Sequence, residues 1–188
     1  MRAERERAGR VDGHRDDSDR DDGDGHDLRA DHDPCEPGTY RGLRTAAGPA
    51  GPGLPVPAAQ EALRASAAAV PNGRPYDVQV ETRDGQRVFE VTVASNGQSV
   101  DVVVDAAGTR VISSAPDDGA DDDARRAEAA AVDAARALQT AAEREPDTLL
   151  DELEIDSDGA QVVWKIDLVH ADGSTIEVRV DAQDGSIR

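Results

Sequence analysis

Large aromatic side chains are nearly missing: the 188 residues include one Trp, one Phe and two Tyr. One big core cannot be filled from so few, so whatever folds must do so in small units. Basic charge is also scarce. Against 40 Asp and Glu stand 21 Lys and Arg, a net charge of -19, and nothing here could displace counterions from a polyphosphate, which excludes an autonomous nucleic-acid binder. Lysine occurs once, at Lys165, and the remaining basic residues are Arg, a skew better explained by GC-rich coding than by any site chemistry. A single cysteine, Cys35, rules out an internal disulfide framework and leaves the redox compartment open. No run approaches the roughly 20 apolar residues of a membrane-spanning helix. The residues after Met1 are charged and lead into acidic repeats without an apolar stretch, so no signal peptide is expected in this chain.

What is present is unevenly distributed. Residues 116–188 hold 20 acidic and 7 basic residues, so most of the net charge sits in the last third. Residues 1–56 combine Asp, Arg and Gly runs with a Gly-Pro-rich stretch and show neither helical nor strand period. Too little apolar area is available there to offset about 1 to 2 kcal/mol of backbone entropy per residue, and the segment is expected to be a disordered acidic tail.

After Pro57, Ala59, Leu63, Ala67 and Val70 recur at helical spacing until Pro71-Asn72-Gly73, which predicts a short helix. Three alternating runs follow at 76–82, 87–94 and 99–105, separated by Asp84-Gly85 and Asn96-Gly97, strong hairpin signals. Val78 and Val80, then Phe89, Val91 and Val93, then Val100, Val102 and Val104 share one face. The pattern recurs. Asp121 to Asp123 can cap an Ala-rich helix over 124–144 that closes at Pro146. Leu153 and Ile155, then Trp164, Ile166 and Leu168, then Ile176, Val178 and Val180 repeat the alternation, with turns at Asp158-Gly159 and Asp172-Gly173. An offset of 75 residues places Leu63 on Leu138, Val78 on Leu153 and Phe89 on Trp164; an offset of 76 places Asp105 on Asp181. The chain is read as an internal duplication. The expected class is α+β, with two repeats of one helix packed on a three-stranded antiparallel sheet. They span 57–114 and 124–188 and are joined by an acidic linker over 115–123.

An Ala-rich helix, a Pro-Asn-Gly break, three strands and a closing Val-Asp-Ala before a glycine turn together resemble the PepSY domain, seen twice. The stretches that carry the resemblance are Val104-Asp105-Ala106-Ala107-Gly108-Thr109-Arg110-Val111 and Val180-Asp181-Ala182-Gln183-Asp184-Gly185-Ser186-Ile187. The first is one residue short before its glycine, and the second has Asp184 where the family usually has Thr. The resemblance implies a non-catalytic, usually extracytoplasmic module, found in propeptides of thermolysin-type metallopeptidases and in partners of cell-wall lytic enzymes. It therefore implies a protein partner, a secreted peptidase or wall hydrolase that the module inhibits or regulates, and no catalytic residues to carry over.

The remaining motifs have plain readings. Asp21-Asp22-Gly23-Asp24-Gly25 with His14, His26 and His32 invites a cation site, but a calcium-loop register ending at Gly25 puts Arg20 where the first oxygen ligand must stand. No metal or other cofactor is expected. Cys35 lacks the apolar and small residues that precede a lipoprotein cysteine and reads as an incidental thiol. His170, the only histidine outside the tail, reads as a turn residue; no acid, base or nucleophile pair is visible, so no enzyme is expected. Asp105 and Asp181 should bond the amides of their own turns, and Phe89 and Trp164 should pack in the sheet cores. On the opposite face of the second sheet, Glu152, Glu154, Asp156, Asp167 and Glu177 should crowd around Lys165 and Arg179, a possible docking face for a basic partner. The competing class is an acidic extracellular scaffold that binds cations or adheres through charge alone.

Overall fold

The structure, a computed structural model, describes residues 53–117 and 122–188. Of the tail expected to be disordered over residues 1–56, residues 1–52, with the cation motif, Cys35 and three histidines, lie outside the described residues, whereas Leu54 and Pro55 form a short strand and Val56 begins a helix. The elements are β1 (Leu54–Pro55), α1 (Val56–Ala69), β2 (Arg74–Arg83), β3 (Gln86–Ser95), β4 (Gln98–Asp105), β5 (Val111–Asp117), α2 (Asp122–Ala129), α3 (Ala134–Arg144), β6 (Leu149–Asp158), β7 (Gln161–Val169) and β8 (Thr175–Asp181). No described helix is long and apolar enough to cross a membrane.

The α+β class and the paired repeats hold, but the strand count differs from the expected three per repeat. The strands form one eight-stranded antiparallel sheet in the order β5-β4-β3-β2-β6-β7-β8, with β1 also paired to β6. The first repeat has a fourth strand. In β5, Val111 to Pro116 are all exposed, so the strand buries no face, and without a buried face no alternation appears in its sequence. The other addition is β1: Leu54 and Pro55 pair with Leu150 and Leu149.

The two repeats meet where β2 pairs with β6, in the register Asp77 with Glu154, Val78 with Leu153 and Gln79 with Glu152. Val78 and Leu153 are equivalent under the 75-residue offset, so each repeat offers the same edge to the other and the join has local two-fold character. The correspondence extends to irregularities. Each of these strands carries one extra residue, between Pro75 and Asp77 in β2 and between Leu150 and Glu152 in β6, again 75 residues apart.

The predicted helix over 124–144 is broken into α2 and α3, although no Pro or Gly interrupts it. Tertiary hydrogen bonds take over between them: the Ala131 and Val132 amides donate to the Ala182 carbonyl at 3.0 and 2.9 Å, and the Trp164 indole donates to the Val132 carbonyl at 3.0 Å. Asp133 then restarts the helix, its Oδ1 accepting from the Arg136 amide at 2.8 Å, which satisfies a first-turn donor that would otherwise be orphaned. The apolar face of the sheet and the buried sides of all three helices share one core, in which Leu63, Phe89, Leu138, Leu153, Trp164 and Ile166 are at most 2% exposed.

Candidate functional site: the polar face of the sheet

Strand alternation that sends the apolar residues to the helices sends the charged ones to the other face. Pairing of β2 with β6 makes that face continuous across both repeats. One cross-strand row runs Glu90, Gln79, Glu152, Asp167, Glu177, each residue directly opposite the next. The adjacent row runs Asp101, Thr92, Asp77, Glu154, Lys165, Arg179. Directly opposed residues on one face stand close enough to interact, and like charges so placed repel.

The structure brings Glu152, Glu154, Asp156, Asp167 and Glu177 together on β6, β7 and β8, with differing surroundings. Lys165 lies 3.4 Å from Glu154 and also pairs with Asp156; its bond to the Asp156 carboxyl holds that group below the usual carboxylate range and lifts the lysine. Arg179 pairs with Glu177 at 2.6 Å and with Asp158 at 3.3 Å. Asp167 is half-buried, and burial first, then Glu177, Asp151 and Glu154, push its carboxyl up, with Lys165 opposing. Burial also raises Asp151. In the first repeat burial raises Asp101, reinforced by Asp117 and Glu90, although Thr92 donates to it at 3.2 Å.

Reading the second sheet alone misses the first-repeat half of this face: Asp77, Glu90 and Asp101. Their outward direction is visible in the alternation of 76–82, 87–94 and 99–105. The β2 and β6 edge pairing that joins them to Glu152 and Glu154 has no local signal.

Asp105 and Asp181 occupy matching turns. Asp105 Oδ1 accepts from the Thr109 and Arg110 amides at 2.8 and 3.1 Å; Asp181 Oδ1 accepts from Gln183 and Asp184 at 2.8 and 3.2 Å. Burial opposes ionisation of Asp105, but the amides of Arg110 and Thr109 outweigh it and its carboxyl is lowered. The Gln183 amide and the Arg188 guanidinium lower Asp181. Phe89 and Trp164 lie in the helix-side core. His170 closes the β7–β8 turn, its amide donating to the Ser174 carbonyl at 2.8 Å. Among the described residues no group of three His, Cys, Asp or Glu is arranged to hold a metal ion.

The chain is a duplicated helix-on-sheet module, with Asp105 and Asp181 spent on matching turns and its charge displayed on an open sheet face. Residues 58–114 and 131–188 each match the PepSY family, described as peptidase propeptide and YPEB domain. These matches cover more than half of the chain, and the chain belongs to the PepSY family. Such domains are generally regulatory or propeptide-like and usually non-catalytic. No curated protein matches the chain. A crystal structure of a lipoprotein candidate from Clostridium difficile 630 is similar at 16% identity, covering 72% of this chain and 90% of that one, with a TM-score of 0.42.

Proposed function

We propose that this chain is a non-catalytic protein-interaction module whose polar sheet face docks a basic surface of an extracytoplasmic peptidase or cell-wall hydrolase and regulates it. The observation that carries this reading is the row Glu90, Gln79, Glu152, Asp167, Glu177, which spans both repeats and holds four carboxylates. Within it Asp167 and Glu177 stand directly opposite each other, and Glu177 adds to the burial that raises the Asp167 carboxyl; a cationic partner relieves that repulsion on docking. PepSY membership supports a protein partner and names the propeptide class; the charge alone could not.

Affinity capture on the full chain from the envelope fraction of the source cells, followed by stopped-flow association with the captured hydrolase, tests it. Steering through exposed charge predicts an on-rate that falls steeply as the Debye length contracts from about 10 Å at 0.1 M salt to about 3 Å at 1 M. An on-rate independent of salt overturns the charge reading. Tight, stoichiometric Ca²⁺ binding by calorimetry, with no protein captured, favours the cation-binding scaffold instead.

A further inference from the structure

On the helix side, α1, α2, the start of α3 and the start of β2 surround a crevice of about 200 Å³. Leu63, Ala67, Ala127 and Ala134 line it, together with Trp164, which is 1% exposed. Because Ala67, Ala127 and Ala134 are small, the helices leave a hollow that their side chains do not fill. A dry cavity of about 150 Å³ holds a benzene ring, so this one has room for a single branched or aromatic side chain and little more.

Its polar members are unequal. Arg64 is engaged by Glu61 at 2.5 Å, and Asp133 Oδ1 accepts the Arg136 amide at the start of α3. Arg74 is half-buried, donates once to the Glu128 carbonyl at 2.9 Å, and forms no ion pair among the described residues. A guanidinium has five N–H donors and suits a carboxylate bidentately, so in a chain this acidic an arginine without a carboxylate partner, beside an apolar hollow, has donors to offer a ligand.

We propose that the crevice binds the C-terminal residue of a peptide, with its branched or aromatic side chain against Trp164 and its α-carboxylate on Arg74. An apolar group one residue's width from a carboxylate is the chemistry both halves of the site require. This goes beyond the docking reading and uses a different face and ligand, so either can fail without the other.

Trp164 is the sole tryptophan, and its emission reports on the crevice directly. The full chain is titrated with the acetylated tripeptide Gly-Gly-Leu as free acid and as C-terminal amide. A saturable change with the acid is expected, and about tenfold weaker binding of the amide, the loss typical of a charge-assisted hydrogen bond. Arg74→Gln should bind acid and amide alike, and Ala67→Leu, which fills the crevice, should bind neither; if that variant does not fold, Ala135→Leu fills the site from the α3 side. No saturable response to the acid, equal affinity for acid and amide in the unaltered chain, or undiminished binding to a folded crevice-filling variant overturns the proposal.

Discussion

Asp101, Asp151 and Asp167 are held above the ordinary Asp value of 3.8, chiefly by burial, whereas bonds to Lys165, to turn amides and to Arg188 hold Asp105, Asp156 and Asp181 below it. The two sets act on stability in opposite directions. A raised carboxyl contributes stability that is complete below its unfolded value and is lost as pH rises through the folded one. A lowered carboxyl contributes stability that is present above 3.8 and is lost as pH falls through its depressed value. Urea unfolding at a series of pH values should therefore show stability rising as pH falls from 7 toward 3.8, then dropping below it. Asp167→Asn should reduce the rise and leave the drop intact; an unchanged rise would contradict the assignment. Matching residues also differ in what they tolerate. Gly108 and Gly185 both have positive φ, 76° and 77°, but a β-carbon at 108 would overlap the Ala58 carbonyl of α1, while at 185 the nearest atom would be Val132 Cγ2 at 3.6 Å. Gly185→Ala should cost about 1 to 2 kcal/mol for the left-handed backbone alone, and Gly108→Ala clearly more. Equal costs by chemical denaturation would show that α1 shifts away freely.

Among the elements, those with a buried stripe were legible in the sequence and those without one were not. The alternation of Val78, Phe89, Val91 and Val102, and of Leu153, Trp164, Ile166 and Val178, announces strands because each run covers part of the core. β5 covers nothing, and its Val-Ile-Ser-Ser-Ala-Pro-Asp sequence has no period to read. The break between α2 and α3 was hidden for a different reason. Ala130, Ala131 and Val132 are compatible with a helix, and only distant groups, the Ala182 carbonyl and the Trp164 indole, draw their backbone out of it. Trp164→Ala should thus cost about 3 to 5 kcal/mol through lost packing and also loosen 130–133, seen as faster amide exchange at Ala131 and Val132. Asp133→Ala should cost about 1 kcal/mol as a lost N-cap. If Trp164→Ala destabilises without altering exchange there, the indole bond does not hold the break open.

Across the whole molecule, duplication creates something neither repeat has alone: one sheet joined through equivalent edges at Val78 and Leu153, one shared core and one polar face. The candidate site was half legible for this reason. Outward carboxylates could be listed strand by strand, but their continuity depends on a pairing between residues 75 apart in sequence. Each repeat is near the lower size limit for independent stability, and residues 53–117 alone would leave the β2 edge unpaired. That fragment should unfold far below the full chain or self-associate through β2, which sedimentation equilibrium resolves. On our proposal the face shared by both repeats docks a cationic partner, and the most direct measurement is the on-rate for the captured hydrolase at low salt after changes in one repeat at a time. Asp77→Asn with Glu90→Gln and Asp101→Asn should slow association, as should Glu152→Gln with Asp167→Asn, with the unchanged repeat intact in each case and the fold preserved by circular dichroism. If neither set slows binding, the face is only a solvated surface; if the first-repeat set alone has no effect, the two repeats do not present one site.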